Sequence, residues 1–348
     1  AWRLRYPLRP RPAAAEGVPL GCVRARLPTE DGPAVQLIYP AAAGRSAGGR
    51  RGSLPYFRLA ALDALADDLR FPRWFGRAAL RRRAPEQPIE PRPAPGEEKW
   101  PLVIFSPGLS SCLEVYTQLG REVAATGAIF MAIEHEDGSG AYAECARTGR
   151  EIRREMPPPG YTASRDEVVS WRRRFIERRV AEWRRVVAYV ERAASPRRSG
   201  GSSFGLGPDQ RLAQRVLAGA DAGAVVAMGH SFGATGTIAA LQQGLHRRVT
   251  GAVLLDPWMK PLSDAALGKG MPVPYAVIMS EEWAGYGGEL ELLHRLGRGG
   301  PRRPALGVVS VPGTRHPWVS DGVWWLPSRV VRRFGTLGPA PRARAHAA

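Results

Sequence analysis

The stretch Gly229-His230-Ser231-Phe232-Gly233 lies between an apolar run at 224–228 and a helix-like run at 234–243. A strand, a G-x-S-x-G turn and a helix in this order are typical of a nucleophile elbow, which presents a serine at the carboxyl end of a sheet. The two glycines leave room for the close backbone approach that such a turn requires. The stretch therefore predicts Ser231 as a nucleophile in an α/β fold.

A nucleophilic serine needs a histidine as its base, and the chain has six histidines. In α/β-hydrolases the order along the chain is serine, acid, histidine, so the base follows Ser231. His316 comes just after an apolar, strand-like run, whereas His294 lies in a helix-like run. We predict His316 as the base, because loops at strand ends hold it in this fold. His230, inside the elbow, is predicted to point away from the working face of the serine.

The acid that orients this base is expected between Ser231 and His316 in the chain, at the end of a strand. Asp256 closes the β-like run 251–255, and Glu281 and Glu282 follow the strand-like run 275–280. Asp264 has no strand directly before it. An acid at the end of either strand would satisfy the chain order, so this order does not exclude Glu281 or Glu282. We prefer Asp256.

The strand-like runs predict a doubly wound α/β sheet. The predicted strands are 22–27, 35–39, 102–105, 128–134, 224–228, 252–255, 275–280 and 306–311. The later runs are continuously apolar, which suits parallel strands covered on both faces, and the first two are expected to form an antiparallel edge. Helices are predicted at 113–125, 234–243 and 290–296. The expected architecture is an α/β-hydrolase fold with a mostly parallel sheet of about eight strands and helical insertions.

The 348 residues are enough for one large domain with a buried sheet. We predict a flexible Arg/Pro-rich segment at 1–17, a single domain at 18–335 and a disordered tail at 336–348. The domain carries insertions at 41–99 and 138–222.

The second insertion contains a long predicted helix at about 170–194. Its apolar side chains recur at helical spacing and are expected to pack on the sheet; they are Ile176, Val180, Trp183, Val187 and Val190. The arginines of the same helix are expected to be solvated; they are Arg172, Arg178, Arg179 and Arg185.

Several motifs fall in an order that resembles the platelet-activating factor acetylhydrolases, which are calcium-independent phospholipases with an α/β-hydrolase fold. They lie at 105–109, 134–137, 229–233, 255–262 and 313–316. The resemblance runs from about residue 18 to residue 334, and its most specific part is the Asp-x-Trp-Met-x-Pro-Leu segment that begins at Asp256. It implies that Asp256, rather than Glu281, is the acid of the triad.

Two backbone N–H groups are predicted to form the oxyanion hole. Phe232 follows the nucleophile directly, and its N–H is the first donor. The resemblance implies Leu109 as the second. The family's Ser-His-Gly-Leu segment appears here as Ser106-Pro107-Gly108-Leu109, and the proline rigidifies that loop.

The resemblance implies hydrolysis of the short or oxidised sn-2 acyl ester of a phospholipid that resembles platelet-activating factor. The expected enzyme is a 1-alkyl-2-acetylglycerophosphocholine esterase of the serine type, without a cofactor or a metal. A general carboxylesterase or polyester-type hydrolase on the same triad is one alternative. A catalytically silent lipid-binding protein of this fold is another, and the complete set of Ser231, Asp256 and His316 argues against it.

The net charge of +18 comes almost entirely from arginine. Arginine suits phosphate and anionic lipid, but we prefer a coding bias spread over the surface as the explanation, since net charge alone speaks only to solubility and non-specific binding. No nucleic-acid-binding motif accompanies the charge, so nucleic acid is not expected as a partner. The three cysteines are widely spaced and predict neither a disulfide framework nor a metal site.

A phospholipid substrate would bring the protein to a membrane or lipid-particle surface. Two aromatic clusters flanked by arginines are candidates for that contact; they contain Phe71, Trp74 and Phe75, and Trp324 and Trp325. The alternative is that these rings pack within the domain. No apolar run reaches ~18 residues and no signal peptide is visible, so a cytoplasmic or peripheral-membrane location is favoured. The acidic segment 134–137 is expected at the rim of the site, rather than as a metal site.

Overall fold

The computed structural model describes residues 19–46, 54–80, 89–91, 99–195, 205–286, 288–300 and 304–321. The predicted flexible segment 1–17 and the predicted disordered tail 336–348 lie outside these residues. The eight strands and the helices predicted from the sequence lie within the described residues.

A mostly parallel sheet forms the centre of the molecule. The strands are β1 Leu20–Arg26, β2 Ala34–Ser46, β3 Ile89–Pro91, β4 Trp100–Ser106, β5 Ile129–Ile133, β6 Tyr142–Glu144, β7 Glu151–Arg153, β8 Ala220–His230, β9 Gly251–Leu255, β10 Tyr275–Ser280 and β11 Pro304–Val311. The order in the sheet is β1-β2-β5-β4-β8-β9-β10-β11, with β3 beside β2, while β6 and β7 form a separate hairpin. β1 and β2 are antiparallel, as predicted, and the six strands β5, β4, β8, β9, β10 and β11 run parallel to one another. The predicted α/β fold with its sheet of about eight strands is confirmed.

Helices cover both faces of this sheet. They are α1 Leu59–Asp68, α2 Arg73–Leu80, α3 Thr117–Ala125, α4 Arg165–Ala194, α5 Pro208–Ala218, α6 Phe232–Gln242, α7 Asp264–Lys269, α8 Glu281–Ala284 and α9 Glu289–Gly299. The larger apolar core contains side chains of α4, α5 and α6, and the smaller one lies between the sheet and α3. The apolar periodicity does not predict α2, α5, α7 or α8. None of the helices that the structure describes combines the length and hydropathy needed to span a bilayer.

Helix α4 confirms one prediction and overturns another. Four residues of its predicted apolar stripe are buried, with Trp183 fully enclosed, and Ile176 is partly buried. The prediction that its arginines are solvated is wrong for two of them, because Arg172 and Arg179 are only 7% and 1% exposed. These two residues are seven apart and stand on the same helix face as the apolar stripe. The arginines that lie off this face, Arg178 and Arg185, are partly exposed.

The register of the parallel strands brings five loops to one edge of the sheet. Ser106 at the end of β4 pairs with Gly229 of β8, and His230 pairs with Leu255 at the end of β9. β10 and β11 end beside each other in the same way, with Ser280 opposite Val311. Ligand sites of open α/β sheets lie at this carboxyl edge, and every predicted member of the triad lies there.

Candidate active site

Ser231 occupies a strained turn between β8 and α6. Its φ is 54° and its ψ is −122°, a backbone conformation that residues other than glycine rarely adopt. The flanking glycines are required by space: a Cβ on Gly229 would lie 2.6 Å from Gly233, and a Cβ on Gly233 would lie 1.9 Å from the carbonyl oxygen of Ser106. The local backbone therefore has the form of the nucleophile elbow that the sequence predicts.

The structure brings the three predicted triad residues into one hydrogen-bonded array. The Oγ atom of Ser231 lies 2.9 Å from Nε2 of His316, and Nδ1 of His316 lies 3.1 Å from Oδ2 of Asp256. Asp256 is fully buried, whereas the His316 side chain is 26% exposed. A carboxylate at Nδ1 holds the proton on that nitrogen and leaves Nε2 free to accept the serine proton.

Two neighbours fix the acid and the base. Ser280 donates to Asp256 from its backbone N–H at 2.5 Å and from its hydroxyl at 2.7 Å, so the carboxylate cannot turn away from the imidazole. The indole ring of Trp283 stacks on the His316 ring, with centroids 3.8 Å apart and planes 18° apart. Its own N–H donates to the carbonyl of Pro257. No sequence pattern indicates this role of Trp283, because it depends on packing between α8 and the loop after β11.

The alternative acids and the alternative base lie elsewhere. Glu282 accepts a hydrogen bond from the backbone N–H of His316 at 2.9 Å, and Glu281 accepts one from the backbone of the same loop. Both glutamates therefore cap the loop that carries the base instead of contacting its ring. His294 is exposed on α9, and Asp264 forms ion pairs with surface arginines.

The loop after β4 lies directly against the nucleophile. A Cβ on Gly108 would stand 3.2 Å from the Cβ of Ser231. The N–H of Leu109, the next residue, makes no hydrogen bond to another described residue. Phe232 is the first residue of α6, where N–H groups have no partner within a helix. The two predicted donors are thus placed in adjacent backbone segments around Ser231, as an oxyanion hole requires.

A tyrosine and a histidine connect this loop to the base. Gly108 donates its N–H to the hydroxyl of Tyr116 at 3.1 Å, and that hydroxyl donates to Nδ1 of His230 at 2.9 Å. Nε2 of His230 donates to the backbone carbonyl of His316 at 3.1 Å, which fixes the His230 tautomer, because a carbonyl only accepts. Burial, and then the nearby His316 imidazole, holds the pKa of His230 well below its ordinary value. The prediction that His230 points away from the site is wrong, since its ring lies 4.7 Å from that of His316.

The oxyanion loop rests on a buried arginine of α4. Arg179 donates to the carbonyl oxygen of Pro107 at 2.7 Å and forms an ion pair with Asp137 at 2.8 Å. It also donates to the hydroxyl of Ser139, whose carbonyl in turn accepts the N–H of Ser110. Both ends of the loop are therefore fixed to one buried polar cluster, whose members come from separate parts of the sequence.

A second serine–histidine–carboxylate array lies in this cluster. The Oγ atom of Ser106 is 2.8 Å from Nε2 of His135, and Nδ1 of His135 is 2.6 Å from Oε2 of Glu182. Burial lowers the pKa of His135, the Arg179 guanidinium lowers it further, and the Glu182 carboxylate acts in the opposite direction. The prediction that segment 134–137 forms the rim of the site is wrong: α4 covers the segment, and all four residues are buried.

The described residues contain one group with the spacing of a metal site, formed by His230, Asp256 and His316. Their ligand atoms lie within 4.8 Å of one another. Each of these side chains already has a hydrogen-bond partner within the array described above. The arrangement therefore suits proton transfer and orientation of an imidazole.

The predicted lipid-contacting residues are only partly described. Trp74 on α2 is 69% exposed, and Phe71 is half-buried. The side chain of Phe75 and the residues Trp324 and Trp325 lie outside the described part of the chain. Contact with a lipid surface therefore remains a prediction.

A protein family model matches most of this chain. The family model described as "Platelet-activating factor acetylhydrolase, isoform II" matches residues 74–340. The platelet-activating factor acetylhydrolase of Canis lupus familiaris is 27% identical over 198 residues, and that of Cavia porcellus is 28% identical over 190 residues. Each alignment covers 53% of this chain and 41% of the relative, so the chain spans less than half the length of these relatives.

A solved structure shares the fold. The ferulic acid esterase from Streptomyces cinnamoneus superposes with a TM-score of 0.61 and 21% sequence identity. The match covers 95% of this chain and 86% of that protein. The likeness in fold therefore extends over nearly the whole chain.

Proposed function

Because this chain belongs to the platelet-activating factor acetylhydrolase, isoform II, family, we propose that it is a carboxylic ester hydrolase with a Ser231–His316–Asp256 triad. The observation that carries this proposal is the continuous contact from nucleophile to base to acid, at 2.9 Å and 3.1 Å. The strained conformation of Ser231 supports it, since such strain at an elbow exposes the hydroxyl to a substrate.

In the first half of the reaction, Ser231 attacks the ester carbonyl while Nε2 of His316 takes its proton. The carbonyl oxygen becomes an oxyanion, which accepts hydrogen bonds from the N–H groups of Phe232 and Leu109. His316 then gives its proton to the leaving alcohol, and the acyl group stays on Ser231.

In the second half, water attacks the acyl-enzyme after His316 has taken one of its protons. The second oxyanion occupies the same donors, the carboxylic acid leaves, and the proton returns to Ser231. Asp256 holds the imidazole in the required tautomer and stabilises the imidazolium in both halves. The stacked Trp283 limits rotation of the ring between them. The proposed chemistry requires no metal or cofactor.

The proposed substrate is a phospholipid resembling platelet-activating factor, cleaved at a short or oxidised sn-2 acyl ester. Family membership supports this substrate class, and the relatives named above are platelet-activating factor acetylhydrolases. The activity would be that of a 1-alkyl-2-acetylglycerophosphocholine esterase.

A panel of phosphatidylcholines with sn-2 chains of increasing length tests this substrate. We expect kcat/KM to be highest for acetyl and to fall steeply as the sn-2 chain lengthens. A matched panel of acyl esters of a simple alcohol is the control for headgroup dependence. Equal turnover with and without the phosphocholine group would indicate the alternative, a general carboxylesterase on the same triad. Absence of hydrolysis with both panels by the folded protein would indicate a silent binding protein.

The expected partner is a lipid surface, and α2 is the described element that supports this proposal. It presents the exposed Trp74, while Arg73 and Arg77 on the same helix pair with Asp67 and Asp63 of α1. These two arginines are already neutralised, so we assign lipid contact to the aromatic side chains. A cytoplasmic or peripheral-membrane location remains the expectation.

Vesicle binding tests this surface. Trp74→Ala combined with Phe75→Ala is expected to weaken binding to phosphatidylcholine vesicles, while hydrolysis of a soluble short-chain ester is spared. Met156→Ala removes another exposed apolar side chain and serves as the matched control. Unchanged vesicle binding by the double variant would exclude this part of α2 as a contact.

A further inference from the structure

Asp321 carries a buried carboxyl group that the proposed mechanism does not use. It lies five residues after His316, just beyond the turn His316–Val319, whose first residue is the proposed base. We call this turn the base turn. The side chain of Asp321 is fully enclosed. Burial of a polar group is costly unless hydrogen bonds replace the lost water, so the partners of Asp321 indicate what this side chain holds in place.

Two separate parts of the chain donate to this carboxyl group. The backbone N–H of Gln118, in the first turn of α3, lies 3.0 Å and 3.2 Å from its two oxygens. The hydroxyl of Tyr56 donates to Oδ2 at 2.5 Å. Asp321 also donates its own backbone N–H to the carbonyl of Val115 at 2.6 Å. N–H groups at a helix start have no partner within the helix, so Asp321 serves as a cap for α3.

A second contact holds the other end of the base turn. The backbone carbonyl of His316 accepts a hydrogen bond from His230, whose ring in turn accepts the hydroxyl of Tyr116. Tyr116 belongs to the same short stretch, residues 113–118, that contacts Asp321. We call this stretch the anchor segment, because both ends of the base turn are linked to it.

The anchor segment also holds the oxyanion loop. The N–H of Gly108 donates to the hydroxyl of Tyr116 at 3.1 Å. The distance between the proposed base and the proposed oxyanion donors therefore depends on one short stretch of backbone, and Asp321 links the residues after the base to it. Acyl transfer is sensitive to this distance, since a displacement of ~1 Å in a catalytic group can lower the rate ~10²-fold.

Tyr56 comes from a distant part of the chain. It precedes residues 74–340, which the family model matches, and it is 2% exposed. Its neighbour Arg58 forms an ion pair of 2.6 Å with Glu114 of the anchor segment. This pair fastens the residues around Tyr56 to the anchor segment, where the Tyr56 hydroxyl meets Asp321.

We propose that Asp321 and Tyr56 are positioning residues for the proposed base, which keep the His316 imidazole at the distance from the oxyanion hole that proton transfer requires. The inference rests on the proposed function and adds two residues to it. Both act through the backbone of the base turn rather than through a contact with the reacting atoms. A part of the chain outside the residues that the family model matches thus contributes to the site.

Substitution of Asp321 tests the proposal. Asp321→Ala is expected to lower kcat for butyl acetate by about 10²-fold, with a change in KM of less than about threefold. Asp321→Asn retains the shape of the side chain and one acceptor oxygen, so kcat is expected to stay within about tenfold of that of the unsubstituted protein. Val216→Ala removes buried methyl groups near the amino end of β8 and controls for lost stability. It is expected to leave kcat unchanged.

The leaving group separates misplacement of the base from a general loss of structure. His316 must protonate the departing oxygen of butyl acetate, whereas the phenolate of para-nitrophenyl acetate leaves without a proton. In Asp321→Ala, kcat/KM for butyl acetate is therefore expected to fall at least about fivefold more than kcat/KM for para-nitrophenyl acetate. Equal losses with the two esters would overturn the positioning role.

Tyr56→Phe tests whether Tyr56 acts through Asp321. Removal of its hydroxyl is expected to lower kcat for butyl acetate by about threefold to tenfold. Tyr142→Phe is the matched control, because Tyr142 lies in the same apolar cluster and its hydroxyl makes no hydrogen bond to another described residue. In the Asp321→Ala background, Tyr56→Phe is expected to cause no further loss of kcat, since its partner is already gone. Losses that multiply in the double variant would overturn the link.

Two further outcomes separate this inference from the proposed function. Absence of hydrolysis of both esters by the folded, unsubstituted protein would overturn the esterase proposal, and the positioning role with it. Hydrolysis by that protein with an unchanged kcat in the variants of Asp321 and Tyr56 would overturn the positioning role alone. If Asp321→Ala does not fold, the leaving-group comparison is made with Tyr56→Phe, and equal losses there would count against the proposal in the same way.

Discussion

Ser231, His316 and Asp256 form a hydrogen-bonded array with contacts of 2.9 Å and 3.1 Å, and Ser106, His135 and Glu182 form another with contacts of 2.8 Å and 2.6 Å. The two arrays lie on neighbouring strands of the same sheet edge, since Ser106 pairs with Gly229 in the β4–β8 register. Contact distances alone do not distinguish them as candidates for catalysis.

The two arrays differ in the exposure of the histidine, in the backbone conformation of the serine and in the N–H donors beside it. The His316 side chain is 26% exposed, whereas that of His135 is 2% exposed. Ser231 stands in a strained turn beside two N–H donors, while Ser106 ends a regular strand and accepts a hydrogen bond from Arg179. We infer that the buried array supports the oxyanion loop and that only the other array meets a substrate. The exposure of the histidine and the unused N–H donors, rather than the contact distances, favour Ser231 as the proposed nucleophile.

Removal of the serine hydroxyl from each array should give the largest difference in kcat between the two. Ser231→Ala is expected to lower kcat for a short-chain aryl ester by about 10⁵-fold or more, since loss of a nucleophile removes the whole covalent route. Ser106→Ala is expected to lower kcat by less than about tenfold, through a looser oxyanion loop. Losses of equal size in two folded variants would show that the distinction between the arrays is wrong.

The same acid-to-amide change in each array should give different results. Asp256→Asn is expected to lower kcat by about 10⁴-fold with little change in KM, because the wrong imidazole tautomer is held. Glu182→Gln is expected to change kcat by less than about tenfold but to lower the free energy of unfolding by about 1–3 kcal/mol, because a buried hydrogen bond is lost. Steady-state kinetics and urea unfolding measure the two effects. A catalytic loss in Glu182→Gln as large as that in Asp256→Asn would contradict the assignment.

Tyr116→Phe tests the hydrogen bonds that connect the oxyanion loop to His230. The change removes the hydroxyl that accepts from Gly108 and donates to His230, so we expect kcat to fall by about tenfold as the oxyanion loop loses a contact. Tyr189→Phe is the matched control, because the Tyr189 hydroxyl makes no hydrogen bond to another described residue. An equal effect of the two variants on kcat would refute the role of this hydroxyl.

The smallest expected effect is a pH dependence of stability from the buried histidines. Burial lowers the pKa of His135 and His230, so below pH ~6.5 the unfolded chain takes up protons that the folded chain refuses. The free energy of unfolding should therefore decrease as the pH falls below ~6.5, by up to about 1.4 kcal/mol per pH unit for each histidine. His135→Gln is expected to make that decrease shallower. An unchanged slope in His135→Gln would show that His135 is protonated in the folded state.

The proposed catalytic array could largely be predicted from the sequence, because a strand, a G-x-S-x-G turn and the end of a strand constrain Ser231 and His316 locally. Asp256 required the family resemblance, since two strand ends satisfied the chain order equally well. Trp283 and Tyr116 could not be predicted, because their roles arise from contacts between distant segments. The structure also shows that Glu281 and Glu282 cap a loop, which their positions alone left open.

The buried array was predicted wrongly for a physical reason. Four consecutive polar residues after β5 suggested a solvated loop, but α4, which begins about 30 residues later, folds back over them and supplies Glu182 and Arg179. The sequence carried one usable signal, because Arg172 and Arg179 continue the spacing of the apolar stripe of α4. Charged residues on such a stripe indicate burial among other side chains, and the partner of Arg179 there is Asp137.

The most direct test of the distinction between the arrays is the position of a covalent adduct. The folded protein is treated with a fluorophosphonate, digested and mapped by mass spectrometry. We predict a single adduct on the peptide that contains Ser231, formed faster near neutral pH than in acid. An adduct on Ser106, or no adduct on the folded protein, would contradict the assignment of Ser231 as the nucleophile.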